Sequence, residues 1–376
     1  MALRFTGYEK QQFAKRPTAS VEAYEAYLMG IYFWNKRSEE ALTKSVGYFQ
    51  RATELDRNFA GAYAYMADAY AMTAANRYGE RPDVALYERA RAAATRALEL
   101  DDTVPEAYLA LSLVAFNLDR DSERAARLLK RTVSLNPNNA VARLRYGWHL
   151  AREGQLSDAV AELRMAQRLN PLSAHHNTSL AAILLFARDY DGAVGYAQRA
   201  IEIDPNYYTA RLNLAEAYEM KGMYADALAE LKKLRGSPRE DAYTRAYMGR
   251  LLALSGDDGE ARKVLAGLES QAGGSNALHY NMALIYSALG QRNETFRMLD
   301  KAITERIILA EVLRFDPRLD QLRSDPGYEE VLRRHNLSHL LPSTAPLQRP
   351  VKAEAAQTPA VVSWHTQGSG LPPRKP

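Results

Sequence analysis

Residues 140–171 read AVARLRYGWHLAREGQLSDAVAELRMAQRLNP, and residues 174–205 follow in the same register, 34 positions on, as AHHNTSLAAILLFARDYDGAVGYAQRAIEIDP. Small residues mark this register, and the column that they form comprises Gly147, Ala181, Ala215, Gly249 and Ala283. A second small-residue column comprises Ala159, Ala193, Ala227 and Ala261. A helical bundle has no reason to keep a fixed period, whereas a period of roughly 20–50 residues is typical of a repeat array.

Each period is predicted to hold two antiparallel helices. The small residues let the first helix of a unit approach the second, and apolar residues at three-and-four spacing fill the space between them. Glycines recur where the two helices of a unit join, a position at which a left-handed residue ends a helix without steric cost. This glycine column comprises Gly154, Gly222, Gly256 and Gly290. Prolines such as Pro171 and Pro205 then prevent the second helix from continuing.

A 34-residue helix–turn–helix unit with these columns resembles the tetratricopeptide repeat. The resemblance implies an all-α fold, a right-handed superhelical solenoid of about eight repeats with a C-terminal capping helix. We expect residues 21–309 to form the array, after an N-terminal helix or linker at residues 1–20. Residues 310–337 are expected to be the cap, and the proline-rich basic residues 338–376 a disordered tail.

Composition limits the classes of function. The chain has no cysteine, which excludes disulfides and thiolate chemistry. Its longest apolar runs, residues 109–116 and 180–187, are far shorter than the ~20 residues that span a bilayer, and no secretory signal is visible. Most of the net charge of +4 belongs to the tail. The array is therefore close to neutral, which makes nucleic-acid binding the third-ranked hypothesis.

Catalytic and ligand-binding motifs are missing from the sequence. His335 and His339 are spaced as metal ligands on one helical face would be, but no third ligand follows at a suitable spacing. No glycine-rich phosphate loop follows a strand. We therefore predict a protein that is not an enzyme, with no catalytic, cofactor or metal site.

The first helices of successive repeats are expected to line a concave groove that binds an extended peptide or a protein segment. Counting from the small-residue columns places twelve side chains on that face: Tyr65, Asp68, Arg145, Trp148, His175, Asn213, Glu216, Tyr243, Tyr247, Arg250, Tyr280 and Asn281. Tyrosine, tryptophan and arginine dominate the energetics of protein interfaces. The alternative is that tyrosine, with 23 copies, simply fills helix junctions.

Two further stretches carry a narrower resemblance. Residues 23–37 read AYEAYLMGIYFWNKR, and residues 315–326 read FDPRLDQLRSDP. Together they resemble the C-terminal tetratricopeptide region of bacterial TolB-like winged-helix regulators, serine/threonine kinases and adenylate cyclases. The resemblance implies an interaction or sensing module in bacterial signalling. It implies neither catalysis nor DNA binding, because the sequence shows no kinase, cyclase or DNA-binding part.

Three hypotheses follow for the function. The first is a non-enzymatic scaffold that binds a protein segment in the groove, and the second is a sensory or regulatory fragment of a larger regulator or kinase. Nucleic-acid binding is the third. The expected location is the cytoplasm, or the periplasm if the chain belongs to a longer membrane-anchored protein.

Overall fold

The computed structural model describes residues 17–75, 83–234, 238–271, 278–305 and 310–341. Its α-helices, in chain order, are α1 (Val21–Lys36), α2 (Glu39–Leu55), α3 (Ala60–Ala75), α4 (Val84–Leu100), α5 (Pro105–Asn117), α6 (Ser122–Leu135), α7 (Ala140–Arg152), α8 (Leu156–Leu169), α9 (Ala174–Phe186), α10 (Tyr190–Ile203), α11 (Tyr208–Met220), α12 (Tyr224–Lys232), α13 (Pro238–Leu254), α14 (Asp258–Gln271), α15 (His279–Ala288), α16 (Arg292–Thr304), α17 (Ala310–Phe315), α18 (Asp320–Arg323) and α19 (Pro326–Arg334). Short 3₁₀ turns lie at Pro317–Leu319 and Ser338–Leu340.

Helices α1 to α16 form eight consecutive pairs within the described residues, each consisting of a first helix and a second helix. The predicted all-α array of helix pairs is therefore confirmed. The predictions for residues 1–16 and for the tail from residue 342 lie outside the described residues.

The small-residue columns hold the two helices of each pair close together. A Cβ atom on Gly147 would collide with the side chain of Leu163, and one on Gly249 would lie 2.8 Å from Cγ1 of Val264. The alanines of the second column are fully buried: Ala159, Ala193, Ala227 and Ala261. These positions are small because the neighbouring helix leaves no room for a larger side chain.

The turns inside the pairs take the predicted left-handed conformation at all four glycines, with φ of 88°, 73°, 86° and 70° at Gly154, Gly222, Gly256 and Gly290. Three arginines take the same conformation in turns of other pairs: Arg37, Arg120 and Arg188, with φ of 60°, 58° and 63°. A left-handed residue with a side chain is uncommon in proteins. The sequence columns did not indicate these arginines.

The first helices line one face of the array, and this face is strongly concave. Arg145 on α7 reaches past α5 to Asp68 on α3, with an Nη2–Oδ2 distance of 3.1 Å. The same guanidinium lies 3.5 Å from the carbonyl oxygen of Leu109 on α5. Side chains two pairs apart can touch only if the surface between them curves inward. We call this surface, lined by the first helices, the concave face.

The C-terminal helix α19 covers the last pair. Asp325 caps it by accepting a hydrogen bond from the amide of Gly327, and Pro326 occupies its first position. Tyr328, Val331 and Leu332 form its apolar face and are fully buried. Among the described residues, no helix combines the length and apolar character needed to cross a bilayer.

Candidate functional site: the concave face

Asp68 is the centre of the N-terminal half of the concave face. Its carboxylate is fully buried and accepts a hydrogen bond of 2.9 Å from Nε1 of Trp34, in addition to the bonds from Arg145. The ring of Tyr65 packs edge-on against Trp34, with 5.2 Å between the centroids. These groups join three helix pairs, and a carboxylate this deeply buried requires such partners.

Glu106 is a second acid in this half of the face. It is buried, and its Oε1 lies 3.4 Å from Nδ2 of Asn139. Burial, assisted by the negative charge of Asp68, raises the pKa of Glu106 to about 7. The site therefore holds a carboxyl group that is partly protonated at neutral pH, which the sequence analysis did not identify.

His175 and Trp148 keep solvent-accessible surface in this half. Nδ1 of His175 lies 3.2 Å from the hydroxyl of Tyr207, and the ring of Trp148 lies edge-on to Phe186 at 6.3 Å. The surrounding protein lowers the pKa of His175 to about 4 by removing water, and neighbouring positive groups add to this effect. The imidazole is consequently neutral at pH 7.

Buried polar bonds tie the first helices of the C-terminal half to one another. Arg250 on α13 donates from Nε to Glu219 on α11 at 2.7 Å and from Nη1 to the carbonyl of Leu284 on α15 at 2.8 Å. Asn213 on α11 donates to the carbonyl of Thr178 on α9 at 3.0 Å. These side chains are thus engaged in contacts within the molecule.

The chain itself occupies part of the concave face. Residues 313–320, which we call the return segment, lead back from the last pair across the first helices of the C-terminal half. Arg318 lies 3.6 Å from Glu216 on α11, and its guanidinium is 5.7 Å from the ring centroid of Tyr247 and 5.9 Å from that of Tyr280. Tyr243 also interacts with Arg318.

Asp316 fixes this arginine from within the return segment. Its Oδ2 accepts hydrogen bonds of 2.6 Å from Arg318 and 2.6 Å from the hydroxyl of Tyr280. Burial alone would raise the pKa of Asp316, but the charge and hydrogen bonds of Arg318 and the bond from Tyr280 hold it below its ordinary value. Burial raises the pKa of Glu216 to about 7, against the influence of Arg318. The return segment is therefore held by a buried network of opposite charges.

Arg188 holds the other end of the return segment. It donates to Asp320 from Nε at 3.0 Å and from Nη2 at 2.6 Å, and from Nη1 to the carbonyl of Phe315 at 2.6 Å. The ring of Phe315 lies 6.3 Å from that of Phe186. A cavity of about 320 Å³ remains beside this contact, with Leu156 among its lining residues. A single arginine side chain thus recognises a carboxylate and a main-chain carbonyl together.

The predicted groove residues fall into two sets. One set lies in the N-terminal half and comprises Tyr65, Asp68, Arg145, Trp148 and His175. Arg145 bonds to Asp68 and Tyr65 packs against Trp34, whereas Trp148 contacts Phe186 and His175 contacts Tyr207. The other lies in the C-terminal half and comprises Asn213, Glu216, Tyr243, Tyr247, Arg250, Tyr280 and Asn281. Asn281 is buried, and the other six contact the return segment or another first helix. Sequence reasoning missed Arg37 and Arg188; Arg188 stands 34 residues after Gly154, in the glycine column, whereas Arg37 lies outside that register.

The sequence pattern of the tetratricopeptide repeat family matches residues 118–183 and 184–251. Superkiller complex protein 3 of Mus musculus is 27% identical over 223 residues, which cover 58% of this chain but only 14% of that protein. The transcriptional regulator HilA of Salmonella typhimurium is 23% identical over 175 residues, covering 46% of this chain and 31% of HilA. The chain thus spans a minor part of the curated relatives that it matches.

Comparison with solved structures also finds similar chains. PilW, a type IV pilus biogenesis factor, is 19% identical with a TM-score of 0.47, and the match covers 56% of this chain and 94% of PilW. YrrB, described as a tetratricopeptide protein with an unusual peptide-binding site, is 21% identical with a TM-score of 0.31, covering 55% of this chain and 96% of YrrB. Residues 118–251 therefore carry tetratricopeptide repeats, and they lie within the array of paired helices.

Proposed function

We propose that this protein is a non-enzymatic scaffold that holds an extended segment of a partner protein against its concave face. One observation carries the proposal: the face already holds residues 315–320 of its own chain. That contact uses a bidentate carboxylate pair, a main-chain carbonyl, an aromatic contact and a buried ion pair. A segment of another protein carries the same carboxylate, carbonyl and aromatic groups, so the concave face could bind it through the same kinds of contact.

The N-terminal half of the face is the part that we propose for the partner. Trp148 and His175 retain accessible surface there, whereas the return segment covers Glu216, Tyr247 and Tyr280. Aromatic and arginine side chains within a curved, partly dehydrated surface are the composition found in interface hot spots. Tyr65 and Arg145 would support this surface from beneath rather than provide its outermost contacts.

Site-specific photocrosslinking tests the proposal. Benzoylphenylalanine is introduced at Trp148 or His175 in the full chain. The control position is Arg127 on the second helix α6, where the side chain is 66% exposed. We expect a discrete protein adduct from the two concave positions and none from Arg127. Adducts of equal yield at all three positions, or at Arg127 alone, would exclude the concave face as the binding surface.

A second candidate function is that of a regulatory part of a larger signalling assembly in bacteria. The observation that favours it is the similarity to HilA, added to the resemblance of residues 23–37 and 315–326 to regulator-associated arrays. Co-expression with a kinase or winged-helix protein encoded beside this chain, followed by size-exclusion chromatography, tests it. Separate elution of the two proteins would count against this function. A cytoplasmic location is part of the same proposal, and cell fractionation decides between it and the periplasm.

A further inference from the structure

The turn inside a helix pair is a position where a side chain carries a conformational cost. Four of the turns use glycine in the left-handed conformation, and three use arginine: Arg37, Arg120 and Arg188. An L-residue is disfavoured there because its Cβ crowds the neighbouring backbone. An arginine in such a place suggests that its guanidinium serves a purpose that glycine cannot.

Arg188 shows what that purpose is in the fifth pair. From its turn, the side chain extends to the concave face and binds both the carboxylate of Asp320 and the carbonyl of Phe315. Because Arg188 follows the end of a first helix, its guanidinium group can donate hydrogen bonds both to an acidic side chain and to the main chain of the same segment. The segment that it holds contains the 3₁₀ turn Pro317–Leu319 and contacts the first helices of the C-terminal half.

Arg37 occupies the equivalent turn of the first pair. Its guanidinium stacks on the ring of Trp34 at 3.7 Å, and Nη1 donates to the sulfur of Met72 at 2.7 Å. A thioether is a weak acceptor. Within the described part of the chain, no carboxylate forms an ion pair with this half-buried cation. Asp68 is near enough to influence it but is bonded to Arg145 and Trp34.

Among the described residues, the positive charge of Arg37 has no carboxylate of its own. Removal of water, followed by the repulsion of Arg145, lowers the pKa of Arg37 to about 10, although Asp68 opposes this shift. His176 faces the same space, and its pKa is lowered to about 4 by burial and by Arg37. Its Nε2 is buried with no hydrogen-bond partner. A carboxylate that entered here would relieve the repulsion and give both groups a partner.

We infer that Arg37 anchors an acidic side chain of an extended partner segment, as Arg188 anchors Asp320 of the chain itself. The inference rests on the proposed function and specifies its ligand: a protein segment with an aspartate or glutamate, bound in the N-terminal half of the concave face. A protein segment fits better than a nucleic acid, because a single cation such as Arg37 can pair with one carboxylate, whereas nucleic-acid binding requires several cations along a continuous row of phosphates.

An array of capped random ten-residue peptides tests the inference with the full chain as probe. Wild type is compared with Arg37→Gly, which removes the guanidinium while leaving a residue suited to the turn. Arg120→Gly is the matched control, because Arg120 has the same backbone conformation but an exposed side chain. Circular dichroism establishes that both variants fold.

We expect the peptides bound by wild type and by Arg120→Gly to be enriched in aspartate and glutamate, and Arg37→Gly to bind them about tenfold more weakly. Replacing the acid by its amide in a bound peptide should cause a similar loss in wild type and little change in Arg37→Gly. Binding of the acidic peptide should also raise the pKa of the His176 imidazole, as followed by NMR.

The failures are distinguishable. Peptides that bind wild type without enrichment in acids, or that bind Arg37→Gly equally well, would overturn the role of Arg37 and leave the scaffold function standing. The absence of any bound peptide would overturn both. Binding of a 20-nucleotide single strand that depends on Arg37, without peptide binding, would assign the site to nucleic acid and would also refute the inference.

Discussion

At the scale of single residues, the exposed left-handed arginine is the simplest test of how these turns are built. Arg120 has φ of 58°, and this left-handed conformation costs an L-residue roughly 1–2 kcal/mol. Glycine avoids that cost but loses about 0.5–1 kcal/mol more than other residues in backbone entropy when the chain folds. Arg120→Gly should therefore raise the free energy of unfolding by up to about 1 kcal/mol, measured by urea denaturation. The reverse change, Gly222→Arg, should lower it by a similar amount, because open space surrounds Gly222 and only the backbone resists. Equal stability of all three proteins would contradict this account.

Glu106 gives a prediction for the effect of pH. Its pKa is about 7 in the folded protein against an ordinary value of 4.5, so the unfolded chain releases this proton first as the pH rises. The contribution of Glu106 to stability is therefore favourable below pH 4.5 and is lost as the pH rises to about 7. Glu106→Gln should stabilise the protein at pH 8, by at most on the order of 3 kcal/mol, and have little effect at pH 4.5. Denaturant unfolding of both proteins at these two pH values measures the difference. An equal effect at both values would show that Glu106 ionises normally.

At the scale of helices and turns, the sequence allowed most of the architecture to be predicted. Gly147 and Ala159 face a neighbouring helix at close range, and such steric constraints appear directly as small residues at a fixed spacing. The return segment was not predicted, because residues 310–337 were all expected to cap the array. Its path depends on partners distant in sequence, such as Arg188, and no local periodicity records them.

Arg188→Gly should release the return segment without unfolding the array. The change removes the bonds to Asp320 and to the carbonyl of Phe315 and also relieves a left-handed turn, so the two effects on global stability partly cancel. We expect amide hydrogen exchange in residues 316–320 to accelerate by about tenfold, corresponding to about 1.4 kcal/mol of local stability. Arg120→Gly is the control, since it alters a turn that does not touch the segment. Unchanged exchange in Arg188→Gly would mean that the buried network around Arg318 holds the segment alone.

At the scale of the whole molecule, curvature explains why the site was harder to predict than the fold. The columns identified which side chains lie on the first-helix face, and Asp68, Arg145 and Trp148 do lie there. Whether such a side chain meets solvent or another helix depends on the small rotation between successive pairs, which accumulates along an array. The rotation here is large enough for Arg145 to reach Asp68 past an intervening pair. The repeating columns of residue types do not determine the angle between successive pairs. The burial of Asn213 and Arg250 could therefore not be predicted from the spacing of residues in the sequence.

The return segment also changes how the array should unfold. In a simple solenoid each repeat contacts only its neighbours, and stability is a sum of local terms. Here Arg318 joins Glu216 on α11 to Asp316, which is bonded to Tyr280 on α15, so distant pairs share one buried network. Arg318→Met would leave the buried carboxylate of Asp316 without its cation, at a cost of about 3–5 kcal/mol.

We expect this loss of stability to affect the fifth to eighth pairs alone. Hydrogen exchange in urea should then show two separate unfolding transitions in Arg318→Met, whereas in wild type the unfolding of the two parts of the array is more strongly coupled. The control is Arg334→Met, because Arg334 is 53% exposed and its ion pair with Asp300 lies outside the network. This variant should change stability by less than about 1 kcal/mol, since exposed ion pairs contribute little. If Arg318→Met destabilised the first three pairs as much as the last four, the coupling would have to pass through neighbouring helices rather than through the return segment.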